Sequence, residues 1–283
     1  MAELAISSNI FAQFSRQEMM VITKSLGFKN IDVWVSPVFV QHIDFNIEDP
    51  KTVKAEFEQA GMNPISLSIY FTTMEEKFAI LGFAAAAGIP YITFEAPPLA
   101  NFQEALSNLI VAPERFFTPP GAGWSAFLEQ LRIVLDKASE VGVRVALQVP
   151  HVYTLIETSS DVKKLREDMK DHPALYFALS PTHMVARGSS LQDMIDVCGD
   201  RLVVQHIWNV KKGYTAERDD RSWGTPLEQL AIKGYFDYEK MVVEHDSNPV
   251  EYLCLKCHGT EGWKDREKIL QTIKTAVGDT IYG

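Results

Sequence analysis

Short apolar stretches recur along this chain behind amphipathic helices, and the joint between the two is nearly always a glycine. LGFKNIDVWV carries it at Gly27, AGMNPISLSIYF at Gly61, AAAGIPYITFEA at Gly88, VGVRVALQV at Gly142 and CGDRLVVQHIW at Gly199. A glycine there fits the left-handed position that ends a helix. DHPALYFALS carries His172-Pro173 instead, and proline also stops a helix. The pattern predicts strands near 4–8, 31–35, 65–70, 91–95, 143–149, 175–180, 202–207 and 251–257. Helices are expected near 15–26, 50–60, 74–87, 124–141, 160–171, 190–198, 226–245 and 264–277. Apolar strands alternating with helices predict a parallel sheet covered by those helices. Eight such units in 283 residues predict an α/β fold, a single (β/α)8 TIM barrel over 1–283, with a doubly wound open sheet as the alternative. No G-x-G-x-x-G follows a strand and no G-x-x-x-x-G-K-[ST] occurs, so dinucleotide and P-loop readings lack support.

The formal net charge of −10 argues against a non-specific nucleic-acid binder, which carries a basic face. Three cysteines, Cys198, Cys254 and Cys257, leave at least one unpaired, which fits a reducing compartment. MAELAISSNIFAQFSRQEMM has no basic stretch leading into an apolar one, so a cytoplasmic location is expected. No apolar run reaches the roughly 20 residues of a membrane span. FAILGFAAAAGIPYI comes nearest and reads as a buried helix followed by a strand. YLCLKCHG contains C-x-x-C-H, the pattern of covalent haem attachment. On a strand, however, Cys254 and Cys257 point to opposite faces. Cys254, Lys256 and His258 would share the inner face there, with Leu253, Leu255 and Cys257 outside.

Barrel chemistry sits at the C-terminal ends of the strands. Those ends carry Trp34, Tyr70, Glu95, Gln148, Ser180 with His183 just beyond, His206 with Trp208 and Asn209, and Lys256 with His258. Each has a plain structural reading: wall aromatics, an ion-paired glutamate, a hydrogen-bonded core histidine. Their convergence on one pocket favours function, since unpaired polar burial is costly. Long connections at 100–124 and 209–226 leave the same face; Lys211, Lys212 and Arg218 in the second offer an anion site or a solvated loop.

LGFKNIDVW, VRVALQVPH, ALSPTHMVARG, DRLVVQHIWN, WGTPLEQLAIKGYFDYEKMV and EYLCLKCHG, in this order, resemble the xylose isomerase-like barrels, a group of sugar and sugar-phosphate isomerases, epimerases and dehydratases. The resemblance covers nearly the whole chain. It implies a divalent metal held by Glu, Asp, His and Glu on strands 5 to 8. The matching positions here are Gln148, Ser180, His206 and Lys256. The formal charge of the set moves from about −3 to about +1. Mg²⁺ and Mn²⁺ want anionic oxygens, so no metal is expected at those positions. The family's Asp after the strand-7 histidine is also changed, to Asn209.

The expected function is an enzyme on a small polyhydroxylated or carbonyl-containing substrate, using metal-independent isomerase, dehydratase or lyase chemistry. Lys256 would replace the cation as oxyanion partner, or act as a base or Schiff-base amine if desolvated. His206 or His183 would be the acid/base and Glu95 the reserve base. Gln148, Ser180, Asn209 and His258 would bind hydroxyls, between walls formed by Trp34, Tyr70 and Trp208. The alternatives are zinc on His183, His206 and His258, and a non-catalytic ligand-binding barrel or partner subunit. A small molecule is the expected partner, with no nucleic acid and no membrane; a homo-oligomer is compatible with the chain. The DNA-repair endonucleases that share this barrel need several metals and a basic groove, neither of which the sequence offers.

Overall fold

The computed structural model describes residues 2–99, 115–151, 153–185, 190–210, 225–230, 250–257 and 266–281. Eight parallel strands close into one barrel in sequence order: β1 (Glu3–Ser7), β2 (Asn30–Trp34), β3 (Asn63–Ser68), β4 (Tyr91–Glu95), β5 (Arg144–Val149), β6 (Leu175–Leu179), β7 (Leu202–Ile207) and β8 (Tyr252–Leu255). β8 pairs with β1, Cys254 standing opposite Ala5, which closes the sheet. The described helices are α1 (Arg16–Ser25), α2 (Pro50–Ala60), α3 (Met74–Ala87), α4 (Trp124–Val141), α5 (Ser159–Asp168), α6 (Pro181–Val185), α7 (Leu191–Cys198), α8 (Pro226–Gln229) and α9 (Arg266–Ile281). The fold is a (β/α)8 barrel, as the repeated helix–glycine–strand unit predicts. Among the described residues no helix is long and apolar enough to cross a membrane.

Strand alternation divides the interior in two. Outward-facing Ile31, Val33, Ile92, Phe94, Leu253 and Leu255 join the large core under the helices. A second, smaller cluster fills the barrel itself, with Ala5, Ile65, Tyr91, Ala146, Ala178 and Cys254. Cys254 thus lies inside and Cys257 in the outer core, as a strand requires. Three alanines in the inner cluster leave room above it for longer polar side chains.

Local signals set the element ends. Thr73 and Glu76 make a reciprocal capping box on α3, and Asp49 caps α2 ahead of Pro50. Gly88 and Gly142 end α3 and α4 at φ of 74° each. Helix α5 departs from expectation. It stops at Asp168 rather than near 171, and the left-handed turn is made by Lys170 and Asp171 (φ 51° and 47°), not by the His172-Pro173 pair. Arg166 Nε binds the Asp171 carboxylate at 2.7 Å and Arg201 Nη2 its carbonyl at 3.0 Å, and these bonds hold the strained turn. β8 is shorter than the expected 251–257, yet Lys256 N still donates to Ile207 O at 3.0 Å, so Lys256 keeps the strand's inward register. The connection 100–124 is described only from 115, connection 209–226 only at its ends, and the helix expected over 226–245 only as α8.

A Cβ on Gly142 would meet nothing within 4 Å, so an alanine there suffers backbone strain alone. Gly142→Ala is expected to lower stability by about 1 kcal/mol in urea unfolding, and Gly142→Asn by less.

Candidate functional site

The centre of the barrel mouth is the ammonium of Lys256. The residue is 1% exposed. Its Nζ donates to Tyr70 Oη and to Gln148 Oε1, both at 3.3 Å. Tyr70 Oη also donates to Gln148 Oε1, so the three groups form a closed triangle. Trp34 and Tyr70 stack at 4.7 Å, and Nζ lies 5.2 Å from the centre of each ring. Both hydrogen-bond partners are neutral. Burial lowers the Lys256 pKa to about 8, against the opposing pull of Asp32, Cys254 and Glu95. Burial likewise pushes the Tyr70 phenol well up, and Glu95 and Asp32 add to it, so the phenol stays protonated as a donor.

One inward step deeper lies a carboxylate that sequence reasoning missed. Asp32, 1% exposed, is the inward residue two before Trp34 on β2. Ser66 and Ser68 hydroxyls donate to its Oδ1 at 2.6 and 2.8 Å, and Ser7 to its Oδ2 at 2.7 Å. Ser7 also accepts from Trp34 Nε1 at 2.9 Å, which ties the wall aromatic to the same network. One ligand-type atom each from Asp32, His206 and Cys254 lie within 4.8 Å of one another. Burial and then Asp32 push the Cys254 thiol well up. An acid alternating with Asn30 and Trp34 inside an apolar strand was the signal that marked Asp32 as inward.

Glu95 ends β4 beside Gln148 of β5 in the register. Its Oε2 is sealed from solvent and has no hydrogen-bond partner among the described residues. Behind it the buried Lys77 of α3, 2% exposed, donates to Thr72 Oγ1 at 2.6 Å and lies over the Phe94 and Phe117 rings at 4.3 and 4.9 Å. Arg115 beside it bridges to Glu76 at 2.8 Å. Glu95, Lys77 and Arg115 line one small cavity. Burial raises the Glu95 pKa and lowers that of Lys77, each partly opposed by the other's charge.

The remaining residues expected at the site make the following contacts. Ser180 Oγ accepts from Trp208 Nε1 at 3.1 Å. His183 stacks on His151 at 4.2 Å and meets Trp208 edge-on at 5.6 Å. Asn209 is buried, with its backbone N–H bonded to Gln229 O. His258, Lys211, Lys212 and Arg218 lie outside the described residues. Of the three histidines proposed for zinc, His183 thus has aromatic neighbours, whereas His206 clusters with Asp32 and Cys254.

No protein-family profile matches the chain, and no curated protein sequence matches it. Solved structures do. The chain superposes on the probable 3-DHS dehydratase AsbF of Bacillus anthracis, involved in petrobactin synthesis, with a TM-score of 0.70, 15% identity and 97% of each chain covered. It superposes on the IolI protein, solved with a bound zinc atom, with a TM-score of 0.72, 13% identity and 99% and 98% covered. A D-psicose 3-epimerase from Clostridium cellulolyticum, with D-tagatose, gives 0.66, 15% identity and 99% and 98% covered. The fold is that of the xylose isomerase-like barrels.

At the four positions matching the ligand set of xylose isomerase-like barrels, this chain does not fit a divalent ion. Lys256 Nζ stands 3.3 Å from Gln148 Oε1, the Ser180 hydroxyl is engaged by Trp208, and His206 is the one ligand-type residue left. A cation there would meet an ammonium and an amide where it needs carboxylates.

The depressed Lys256 pKa has a consequence for stability. Between about 8 and the ordinary 10.5 the unfolded chain holds a proton that the folded chain has lost. This group therefore opposes folding fully below pH 8, by about 3 kcal/mol, and the penalty disappears as pH rises to 10.5. Lys256→Met is expected to be more stable than wild type at pH 7, with the gap closing toward pH 10.5, in parallel denaturant titrations. A gap independent of pH would show that Lys256 carries no such penalty.

Proposed function

We propose that the chain is an enzyme of the isomerase, epimerase or dehydratase type, acting on a small polyhydroxylated carbonyl compound through Lys256 rather than through a metal at the family's positions. The observation that carries this reading is a fully buried ammonium at the mouth of the barrel whose hydrogen-bond partners are neutral. Such a charge opposes folding, and a group that opposes folding at a strand end is explained by what it does for a ligand.

Lys256 has three donors and spends two on Tyr70 and Gln148. The third suits a carbonyl oxygen whose negative charge grows as an adjacent carbon loses its proton. Glu95, neighbouring Gln148 in the register, is the stronger candidate for the base than either histidine. Its Oε2 has no competing hydrogen bond, and burial brings its pKa up toward neutrality, where a proton can be both taken and returned. Protonation of the same carbon on its opposite face, by a donor other than Glu95, gives epimerisation; return of the proton to the neighbouring carbon gives isomerisation; loss of a protonated β-hydroxyl as water gives dehydration. Trp34 and Tyr70 would wall the ring or chain of the substrate. The barrels that this chain resembles include an epimerase and a probable dehydratase, which fits the same proton chemistry.

The test is deuterium uptake from D₂O beside the carbonyl, followed by NMR over a panel of ketoses and hydroxylated cyclic ketones. Lys256→Met is expected to slow exchange by about 10²–10³, and Glu95→Gln by about 10²–10⁴. The wild-type rate should rise with pH on a limb above the ordinary carboxylate range, and that limb should vanish in Glu95→Gln. Full exchange in Lys256→Met sinks the assignment of Lys256. No turnover across the panel moves the reading to a ligand-binding barrel. A borohydride-trapped adduct on Lys256 would turn its role from electrostatic to covalent.

A further inference from the structure

We propose that Asp32, His206 and Cys254 form a zinc-class metal site inside the barrel, one inward step below Lys256. This inference does not rest on the role given to Lys256. The three residues come from β2, β7 and β8 and are fully buried. His206 and Cys254 are direct register partners. Asp32 reaches them across β1, where the facing positions are the small residues Ala5, opposite Cys254, and Ser7, opposite Asp32. Their ligand-type atoms lie within 4.8 Å of one another. Ligand bonds of about 2.0–2.3 Å to a tetrahedral ion require only a modest inward shift of each side chain.

The donor set selects the metal. One sulfur, one imidazole nitrogen and one carboxylate oxygen suit Zn²⁺ or Co²⁺, and suit Mg²⁺ or Ca²⁺ poorly. Three serine hydroxyls already hold the Asp32 carboxylate, the outer support that a ligating carboxylate needs. Binding displaces the thiol proton of Cys254 to solvent. The dication, the carboxylate and the thiolate then sum to zero within the ligand set, and the Lys256 ammonium one step above keeps its own charge. Three protein ligands leave one tetrahedral position open, as in catalytic rather than structural zinc sites. The Lys256 ammonium spends its hydrogen bonds on Tyr70, just past β3, and on Gln148 of β5, neither of them a member of this site.

Co²⁺ is the probe, titrated into the full chain in its native state and after refolding in its presence. One ion per chain is expected, with a near-ultraviolet thiolate-to-Co²⁺ charge-transfer band that Zn²⁺ bleaches and one proton released per ion. Cys254→Ser should lose the band, and Asp32→Asn should weaken binding by about 10-fold or more. Lys256→Met should keep the band, which separates this site from the proposed function. Near-ultraviolet circular dichroism checks that the variants fold, with Cys254→Ala as the second substitution. No band in wild type under either condition overturns the proposal. So does a band that survives in folded Cys254→Ser or Cys254→Ala, which would place the ion on another cysteine.

Discussion

An ammonium group whose hydrogen-bond partners among the described residues are neutral organises the mouth of this barrel. A lysine taken out of water needs its donors satisfied, and the Tyr70–Gln148 pair does this with two oxygens that also bond to each other. The aromatic faces of Trp34 and Tyr70 add a weaker, diffuse attraction. Opposite charge is present but acts through space, from Asp32 below and Glu95 to the side. A contact ion pair would have quenched the ammonium; a counter-charge at a distance lets it persist and leaves it available to a ligand.

That arrangement depends on how the barrel is filled. Side chains in a closed eight-stranded barrel must pack to solid density, and large apolar residues usually do it. Here the inner cluster uses Ala5, Ala146 and Ala178, with Tyr91 the largest group. The space released goes to serines and to Asp32, whose carboxylate takes three hydroxyl donors. The polar column from Asp32 to Lys256 is the counterpart of those alanines. Filling it with leucine-sized groups would favour packing and would remove the buried negative charge of Asp32 that acts on Lys256.

The fold was legible because its signals are local and repeated. All eight strands overlap the positions expected from their apolar runs, five of them behind a glycine at a helix end, and the inward turn of Lys256 follows from period-two alternation. The site was legible only in part, because a strand pattern tells which face a residue takes but not whom it meets. Gln148 and Tyr70 were placed at strand ends, yet their triangle with Lys256 needs three strands at once. Asp32 looked like one acid in NIDVW, and its meaning lies with serines on β1 and β3. Lys77 follows two glutamates in MEEKFAIL and reads as a solvated helix face. It is buried because α3 is apolar on every side beyond its first turn and packs its start against Phe94 and Phe117. The end of α5 was misplaced because Lys170 and Asp171 adopt a backbone conformation that composition assigns to glycine, and the arginine bonds that hold it come from α5 itself and from Arg201.

Under the proposed function, an ammonium standing where a divalent ion would stand differs from it in more than charge. A bound Mg²⁺ demands oxygen ligands in near-octahedral geometry and usually keeps several water molecules. An ammonium gives one directed donor, since its other two are held here by the protein, and it carries half the charge. What it gains is permanence and a titratable proton. With a pKa brought to about 8 by burial, a measurable fraction of Lys256 is neutral at neutral pH, and small changes in its surroundings shift that fraction. Burial moves the Glu95 carboxyl the opposite way, up from the ordinary carboxylate range, against the pull of Lys77 and Lys256. Under the proposed function the carboxyl would serve as base and the ammonium as donor to the same substrate. The exclusion of water that makes the lysine unfavourable for folding is then also what would make it useful to a ligand.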